Sequence, residues 1–454
     1  MFVVVLPYSF IYHRIENDHT GDVVTTTFIS SIIGKSKAPR LTLVLFANNN
    51  ELRVGGGFVG TVGILLGNGR EVSIRDIRSV YYYDHRIQDK EAFISAPEYI
   101  RGLTTEIGVR DSLLDQDPKS NLRRATALFQ RETGETVDNV VVITPEILKK
   151  VLEITGPISL PSYNMVISSE NILSTLQLEV ESGKDKQEGR DPKNVLGELA
   201  EGILNEVGRL PLQKMGKVSQ LVRSYALGEG YDGYYVLNLG MSREIASNDH
   251  TAALGDNNAF LIAEANVAAS KTSSVIRQEH LYEFTLSDKG IEELKTSVQR
   301  EHTSPQKFTY IDPRDGNSNA LINMDDAILF YYLPGQSTAL QGADPTSRLE
   351  DSVGARTIET FQSHLLLGPL QKGLVSASFR LGTRYDMSRR IEVSKRILYQ
   401  YGSFPRNIKI VIHAPSGYRV DTKDSILKKV DSATLMYKGL QVGAIALTYE
   451  FIKK

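Results

Sequence analysis

The stretch LTLVLFANNNELRVGGGFVGTVGILLGNGREVSIRDIRSVYYYD, Leu41 to Asp84, decides how the first part of the chain folds. It opens with a nearly all-apolar run, Leu41 to Ala47, of the length and branching expected for a strand buried on both faces. Two further strands are predicted at Phe58 to Leu66 and Glu71 to Val80, joined by a Gly-Asn-Gly turn. Polar residues therefore gather where a buried strand ends, which is where open α/β sheets usually place their ligands.

Three consecutive glycines, Gly55, Gly56 and Gly57, follow the charged tripeptide Glu51 to Arg53. They remove every side chain from a place where the backbone must turn sharply or let another group approach closely. The run has neither phosphate-loop nor GxGxxG spacing, so the sequence gives no support for a nucleotide site. Two interpretations stay open: a tight connection only, or a place where a ligand approaches the backbone.

The segment NNNELRVGGGFVG resembles the NNxELRPTGGFIG signature of the domain of unknown function 4012 family, found in bacterial cell-envelope proteins. Val54 and Gly55 stand where that family usually has Pro-Thr, so no role of the threonine can be transferred. Val137 to Leu173 looks like a second block of the family, and Gly255 to Leu286 looks like the block that usually reads DANLGGNKS. The resemblance extends over residues 38–454, and it implies an extracytoplasmic protein of the cell envelope or cell surface.

The length of 454 residues is enough for two to four domains, and the composition is that of a globular protein. With 52 basic and 54 acidic residues the net charge is −2, which gives no electrostatic case for binding nucleic acid. There are no cysteines, which excludes disulfides and thiolate metal sites and is compatible with export.

The N-terminal segment, residues 1–37, is interpreted as an apolar arm followed by a linker. Met1 to Tyr12 is apolar but has only about half of the roughly 20 residues needed to span a bilayer, and it contains Pro7. An ordered strand or arm is favoured, including one that pairs with a neighbour's sheet. The alternative is a short or missing membrane anchor, because members of the resembling family usually carry a transmembrane helix ahead of the signature. A strand with loose connections is predicted within Glu16 to Arg40.

Residues 38–250 are predicted to form an α/β domain. Proline after a capping residue marks helix starts at Asp117-Pro118 and Thr144-Pro145, and Asp191-Pro192 repeats the pattern. A further helix is predicted to begin at Pro211, and Ser182 to Arg190 is predicted to be a solvated loop.

Residues 251–454 are predicted to form an antiparallel β-sandwich, which makes the fold class α+β. The prediction rests on strand-like runs that are separated by turn formers rather than helices. The runs are Ala259–Ala263, Ser273–Phe284, Ala327–Leu333, Leu374–Leu381, Ile408–His413 and Ala444–Phe451.

No familiar catalytic motif occurs in the chain. The eight histidines show no HExxH or other paired spacing, and there is no GxSxG nucleophile elbow. Arginines and carboxylates near the first sheet remain. Arginine forks suit phosphate oxygens, and carboxylates could hold a magnesium ion that bridges a pyrophosphate. The candidate pyrophosphate-binding residues are Arg53, Arg75, Arg78 and Arg123, and the candidate metal ligands are Asp76 and Asp84.

A second resemblance concerns the first domain. Its order of strands looks like that of the LytR-CpsA-Psr phosphotransferases, which move glycopolymers from a polyprenyl pyrophosphate carrier to the cell wall. Their SIPRDT segment would fall on Ser73 to Asp76. In a regular strand, however, Arg75 and Asp76 point to opposite faces, whereas Asp76 and Arg78 share one and could pair as a salt bridge. The proline before Arg75 and the family's aspartate-serine-arginine turn are also missing.

Two hypotheses follow. In the first, which the sequence favours, the protein is a structural or interaction component with itself or envelope proteins as partners, and its first domain is a non-catalytic relative of a phosphotransferase. In the second, it is a magnesium-dependent transferase or binder of polyprenyl-pyrophosphate-linked glycopolymers. No cofactor is required by the first hypothesis. The second predicts arginines clustered at an apolar groove, whereas the first predicts arginines that are paired or exposed.

Overall fold

A computed structural model describes residues 3–4, 22–35, 37–84, 94–227, 230–231, 233–239, 245–246, 258–267, 271–305, 308–311, 318–322, 324–341, 344–353 and 356–454. The chain divides into two compact units. The first unit consists of Met1–Asn49, Gly55–Asp249 and Thr309–Asn319. The second unit consists of Asn50–Val54, His250–Phe308 and Ala320–Lys454. The sequence did not predict that five residues of the signature, Asn50–Val54, belong to the second unit.

The first unit contains a seven-stranded sheet and two small hairpins. Its described strands are β1 Val3–Val4, β2 Arg40–Asn48, β3 Phe58–Gly67, β4 Val72–Ser79, β5 Ile94–Ser95, β6 Glu106–Ile107, β7 Asn139–Ile143, β8 Ile158–Leu160, β9 Met165–Ile167, β10 Gly233–Leu237 and β11 Ile245–Ala246. The main sheet has the order β1-β4-β3-β2-β7-β10-β11, in which only β2 and β7 are parallel among the described pairs. Val3 and Val4 pair with Ser73 and Val72 of the same chain, and the rest of the predicted arm lies outside the described residues.

Helices cover the sheet of the first unit. The described helices are α1 Asp22–Ile33, α2 Tyr81–Asp84, α3 Pro118–Thr133, α4 Pro145–Thr155, α5 Ile172–Ser182, α6 Lys184–Gln187, α7 Asn194–Gly208 and α8 Leu212–Leu227. The predicted start of α3 is confirmed, since the Asp117 carboxylate accepts hydrogen bonds from the backbone amides of Lys119 and Ser120. Gly134 ends the helix with φ of 74°.

Three local predictions for this unit were wrong. The expected strand before residue 40 is helix α1, because its Phe28 and Ile32 pack together against the apolar cluster around Val44 and Tyr235. The predicted solvated loop contains α6, where Asp185 is 2% exposed. The predicted cap of α7 also fails, because α7 begins at Asn194.

The second unit is a sandwich of two seven-stranded sheets. The later strands of the chain are β12 Ala259–Asn266, β13 Ile276–Leu286, β14 Ile291–His302, β15 Phe308–Ile311, β16 Ser318–Ile322, β17 Asp325–Pro334, β18 Thr338–Gln341, β19 Asp344–Val353, β20 Arg356–Leu367, β21 Lys372–Arg384, β22 Ile391–Ile397, β23 Arg406–His413, β24 Tyr418–Asp421, β25 Lys428–Lys429, β26 Thr434–Gln441 and β27 Ile445–Lys453. One sheet has the order β19-β20-β17-β12-β22-β27-β24 and the other β18-β21-β14-β13-β23-β26-β25. The strands β15 and β16 pair with each other.

The α+β fold class is confirmed, but the sandwich is not purely antiparallel. Each sheet contains one parallel pair, β12 with β22 and β13 with β23. Inward-facing apolar residues of both sheets form one core, which includes Phe260, Tyr282, Phe379 and Tyr449. Within the described residues, no helix is long and apolar enough to cross a membrane.

Candidate functional site

The two candidate arginines of β4 each face a carboxylate. Arg78 Nε lies 2.5 Å from Asp76 Oδ2, and the Arg78 guanidinium lies 4.1 Å from the centre of the Tyr82 ring. Arg75 Nη2 donates a hydrogen bond of 2.5 Å to Glu135 Oε2. The salt bridge between Asp76 and Arg78, which the period-two geometry of a strand predicted, is confirmed. Both guanidinium groups therefore already have an anionic partner.

Asp84 lies in a buried polar cluster behind this strand. Its Oδ1 accepts a 3.0 Å hydrogen bond from the backbone amide of Val109, and its Oδ2 accepts one of 2.6 Å from Arg110 Nη1. Glu132 Oε1 accepts a 3.4 Å hydrogen bond from the same amide. A Cβ atom on Gly108 would lie 2.5 Å from the Asp84 carboxyl carbon, so glycine is needed for this approach.

The candidate metal ligands do not form a magnesium site in this geometry. Asp76 pairs with Arg78 and also accepts a 2.8 Å hydrogen bond from the Tyr83 hydroxyl, and burial raises the pKa of that hydroxyl. Asp84 is engaged by a backbone amide and by Arg110. Within the part of the chain that the structure describes, no group of three or more His, Asp or Glu side chains is placed to hold a metal ion. The residues present therefore do not fit the bridging ion that the transferase hypothesis needs.

Glu132 should make the stability of the protein depend on pH. Burial, followed by the charge of Asp84, raises the pKa of Glu132 to about 8. Because this pKa is higher in the folded state, the contribution of Glu132 to stability is fully present below about pH 4.5 and is lost as the pH rises through about 8. We therefore expect Glu132→Gln to become more stable relative to wild type as pH rises, by at most about 1.4 kcal/mol per pH unit.

Urea denaturation at several pH values measures this difference. Glu135→Gln is the matched control, since the Glu135 side chain is 44% exposed and pairs with Arg75 at the surface. A stability difference between Glu132→Gln and wild type that stays constant from pH 6 to pH 9 would contradict the raised pKa.

The three glycines of the signature allow parts of the chain itself to approach closely. The Gly55 amide donates a 3.1 Å hydrogen bond to the Leu113 carbonyl, and the Gly55 carbonyl accepts one of 2.7 Å from the Tyr234 hydroxyl. Gly56 and Gly57 have φ values of 119° and 140°, which favour glycine. These contacts support the structural interpretation of the glycine run.

Gly55→Ala is expected to destabilise the first unit by about 1–3 kcal/mol. The new Cβ would lie 2.3 Å from Asn121 Nδ2 and 2.8 Å from the Asp115 carbonyl oxygen. Gly197→Ala is the matched control: nothing lies within 4 Å of its Cβ position, and alanine in the helix α7 should stabilise by up to about 1 kcal/mol. Thermal unfolding of both variants tests this prediction. Equal melting temperatures of Gly55→Ala and Gly197→Ala would contradict the expected clash.

Arg53, the signature arginine, is buried in the second unit and bonds to backbone carbonyls. It is 2% exposed, and its Nη1 donates a 2.6 Å hydrogen bond to the Asn266 carbonyl and a 3.3 Å one to the Leu52 carbonyl. Its Nη2 lies 3.4 Å from Glu51 Oε1. In return, the Asn266 amide donates a 2.9 Å hydrogen bond to the Leu52 carbonyl. The arginine thus fastens the signature to strand β12 rather than facing solvent.

Gln400, which lies in the connection between β22 and β23, holds the same segment in place. Its Nε2 donates to the Arg53 carbonyl at 3.0 Å and to the Glu264 carbonyl at 2.8 Å, and its Oε1 accepts a 2.8 Å hydrogen bond from the Glu264 amide. The Ser274 amide donates a 3.2 Å hydrogen bond to Asn50 Oδ1. The block that looks like DANLGGNKS therefore packs against the signature in the second unit.

Polar groups continue from Asn266 into the interior of the sandwich. Asn266 Nδ2 donates a 2.8 Å hydrogen bond to Thr272 Oγ1, which donates one of 3.1 Å to Asp325 Oδ1. Arg300 Nη2 donates a 2.7 Å hydrogen bond to Asp325 Oδ2, and Arg300 also pairs with Glu264. We call Arg53 and these five residues the buried polar network.

The four candidate arginines do not all lie in one unit, whereas the transferase hypothesis predicts that they cluster. Arg123 lies on an exposed position of α3. Arg75, Arg78 and Arg123 belong to the first unit, and Arg53 belongs to the second. Sequence reasoning missed the role of Arg300. The available signal was that Arg300 is a charged residue at an inward position of an alternating strand. In the structure this strand is β14, and Arg300 lies on its buried side.

Residues 37–180 match the sequence profile of a family described as a protein of unknown function (DUF4012). No curated protein matches the chain. The profile match covers the signature segment and about half of the first unit, and its description assigns no activity.

Several solved structures share a distant likeness with the chain. The gbs0355 protein of Streptococcus agalactiae is 13% identical, with 45% of this chain and 70% of that chain covered and a TM-score of 0.28. The Lin1025 protein of Listeria innocua is 12% identical, with 44% and 72% covered and a TM-score of 0.27. The transcriptional regulator yvhJ of Bacillus subtilis is 13% identical, with 42% and 78% covered and a TM-score of 0.24. Likeness at this level assigns no activity to the chain.

Proposed function

We propose that this protein is an extracytoplasmic component of the bacterial cell envelope or cell surface with a structural or interaction role, and that its first unit is a non-catalytic relative of a phosphotransferase. Its partners are further copies of itself or other envelope proteins. The profile match to residues 37–180 supports the resemblance of the signature to the domain of unknown function 4012 family, and the envelope location rests on what that resemblance implies.

The observation that carries this proposal is the engagement of the candidate arginines. Arg53 is bonded to backbone carbonyls at 2% exposure, Arg75 pairs with Glu135, and Arg78 pairs with Asp76. A pyrophosphate site needs guanidinium groups that converge on the same oxygens and have no stronger competing anion. The scaffold hypothesis predicts arginines that are paired or exposed, and the described arginines fit that prediction.

The alternative is a magnesium-dependent transferase or binder of polyprenyl-pyrophosphate-linked glycopolymers. It would require Arg75 and Arg78 to leave their carboxylates, and it would require Asp76 and Asp84 to release the donors that now occupy them. Each of these changes costs a charge-assisted hydrogen bond before any ligand binds. The arrangement therefore supports the structural role more strongly than the transferase role.

A complementation experiment separates the two hypotheses. Arg75→Ala combined with Arg78→Ala removes both surface arginines of β4, whose side chains are 38% and 35% exposed. We expect this double variant to restore the wild-type phenotype when it is expressed in a strain that lacks the gene, because the arginines are not needed for a scaffold. A double variant that is folded and abundant yet fails to complement would contradict the proposal.

The location is tested in that strain after it has been complemented with the wild-type gene. Protease added to spheroplasts should degrade the protein while a cytoplasmic marker stays intact. Protection of the protein until the spheroplasts are lysed would contradict an extracytoplasmic location.

A further inference from the structure

The turn between β20 and β21, which connects the two sheets of the sandwich, exposes an unusual concentration of leucine. Its sequence, LLLGPLQKGL, spans residues 365–374. Leu366, Leu370 and Leu374 are 53%, 62% and 63% exposed, although each is a residue type that folded proteins usually bury. We call these three side chains the leucine tip. It lies entirely within the second unit.

The three leucines project in different directions. A Cβ atom on Gly373 would lie 2.8 Å from Leu365 and 2.9 Å from Leu367, so these two leucines point between the two sheets. Leu366 therefore points outward from its sheet, because side chains alternate along a strand. Leu374 points outward from the other sheet, since its neighbour Val375 packs against the core. The leucine tip is thus convex, with side chains on both outer faces and at the turn.

Leu370 occupies a backbone conformation that a leucine rarely adopts. Its φ is 60°, and it is the only aliphatic residue with positive φ in the described part of the chain. The Gln371 amide donates a 3.0 Å hydrogen bond to the Gly368 carbonyl, which closes a turn with Pro369 and Leu370 in the central positions. Glycine or asparagine is preferred at the second of these positions. An exposed leucine there lowers stability and solubility, so folding alone gives no reason for it.

The leucine tip by itself covers less area than one side of a stable protein interface. Three half-exposed leucines offer roughly 300 Å² of apolar surface, whereas a stable interface buries about 800 Å² on each partner. A flat protein surface also cannot cover three side chains that diverge. A lipid bilayer can, because acyl chains and headgroups surround a convex apolar tip on all sides.

The residues next to the leucine tip suit the headgroup region of a bilayer. Lys372 follows the turn with its side chain 61% exposed, and its Nζ lies 3.1 Å from Glu301 Oε1. His364 precedes the tip with its side chain 58% exposed, and its Nε2 contacts the Asp326 carboxylate. Polar and basic side chains beside an apolar tip are typical of segments that insert to the boundary between headgroups and acyl chains.

We propose that the leucine tip inserts into the surface of a lipid bilayer and places the β-sandwich against a membrane. This inference goes beyond the structural role proposed above and does not depend on the arginines of the first unit. The ligand is the bilayer itself, bound through apolar burial of Leu366, Leu370 and Leu374.

Vesicle flotation tests the proposal, with vesicles of phosphatidylcholine alone and of phosphatidylcholine mixed with phosphatidylglycerol. The wild-type chain should float with both. The triple variant Leu366→Asn, Leu370→Asn and Leu374→Asn should partition at least about tenfold more weakly, because the apolar surface is removed. Asparagine tolerates positive φ, so the variant should keep its fold. Leu440→Asn is the matched control, since Leu440 is 58% exposed on β26, and it should float like wild type.

A fluorescent reporter locates the contact. The chain contains no tryptophan, so the indole introduced by Leu370→Trp is the only one present. Its emission should shift to the blue when vesicles are added, and that of Leu440→Trp should not. The proposal is overturned if wild type fails to float, or if the triple variant floats like wild type. It is also overturned if light scattering shows a wild-type oligomer that the triple variant abolishes while neither binds vesicles, because a second copy would then cover the tip.

Discussion

Arg300→Met is expected to destabilise the β-sandwich of the second unit by about 3–5 kcal/mol. Arg300 is 1% exposed and pairs with both Glu264 and Asp325, which are 5% and 0% exposed. Methionine has a similar volume but no charge, so the substitution leaves two carboxylates buried without their cation. The loss of that compensation, rather than a cavity, causes the expected destabilisation.

Chemical denaturation of the full chain measures this effect against a surface pair. Arg277→Met is the matched control, because Arg277 is 63% exposed and pairs with Glu301 at 3.3 Å, so its loss should cost less than about 1 kcal/mol. Adding Glu264→Gln and Asp325→Asn to Arg300→Met should restore part of the lost stability, because no buried charge then stays unpaired. Equal stability of Arg300→Met and wild type would show that the network is not a stabilising element of the core.

Arg53→Met is expected to destabilise the second unit by about 2–4 kcal/mol and to loosen the signature segment. The substitution leaves the Asn266 carbonyl without a hydrogen bond of 2.6 Å and leaves the buried Glu51 carboxylate without a cation at 3.4 Å. Arg53→Lys should recover only part of the loss, because an ammonium group cannot reproduce the planar fork of a guanidinium group.

Hydrogen exchange gives a local measure of the same change. The Asn266 amide, which donates to the Leu52 carbonyl at 2.9 Å, should exchange faster in Arg53→Met than in wild type. Arg75→Met is the control, since its side chain is 38% exposed and its pair with Glu135 lies at the surface. Unchanged exchange at Asn266 together with unchanged stability would mean that Arg53 does not fasten the signature.

Local patterns predicted much of the fold, because they reflect backbone preferences and burial. Helix α3 begins where the Asp117-Pro118 pair predicted, since the carboxylate caps free amides and proline needs no hydrogen bond there. The sequence of helix α1, DVVTTTFISSII, is rich in β-branched residues, which favour a strand, but the packing of Phe28 and Ile32 overrides this weak propensity. The sequence does not indicate strand β14, because Glu292 and Arg300 interrupt its inward apolar positions.

The candidate site was harder to predict than the fold. The sequence identified Arg53 and the glycines as special positions but not their partners. Arg53 bonds to Asn266, which is 213 residues away in the chain, and no local pattern specifies such a pair. Polar residues at a strand end are compatible both with a ligand site and with a buried structural network, and only the tertiary contacts distinguish them. The pairing of Asp76 with Arg78 was predictable because it depends only on strand geometry.

The most direct test of the central claim is calorimetric titration with a polyprenyl pyrophosphate, with and without magnesium. The titration uses the wild-type chain and the Arg53→Ala, Arg75→Ala and Arg78→Ala variants. If the signature arginine serves structure and the arginines of β4 only pair with carboxylates, the wild-type protein shows no magnesium-dependent binding. Magnesium-dependent binding by wild type that disappears in Arg75→Ala and Arg78→Ala, with both variants still folded, would contradict the claim and establish a pyrophosphate site.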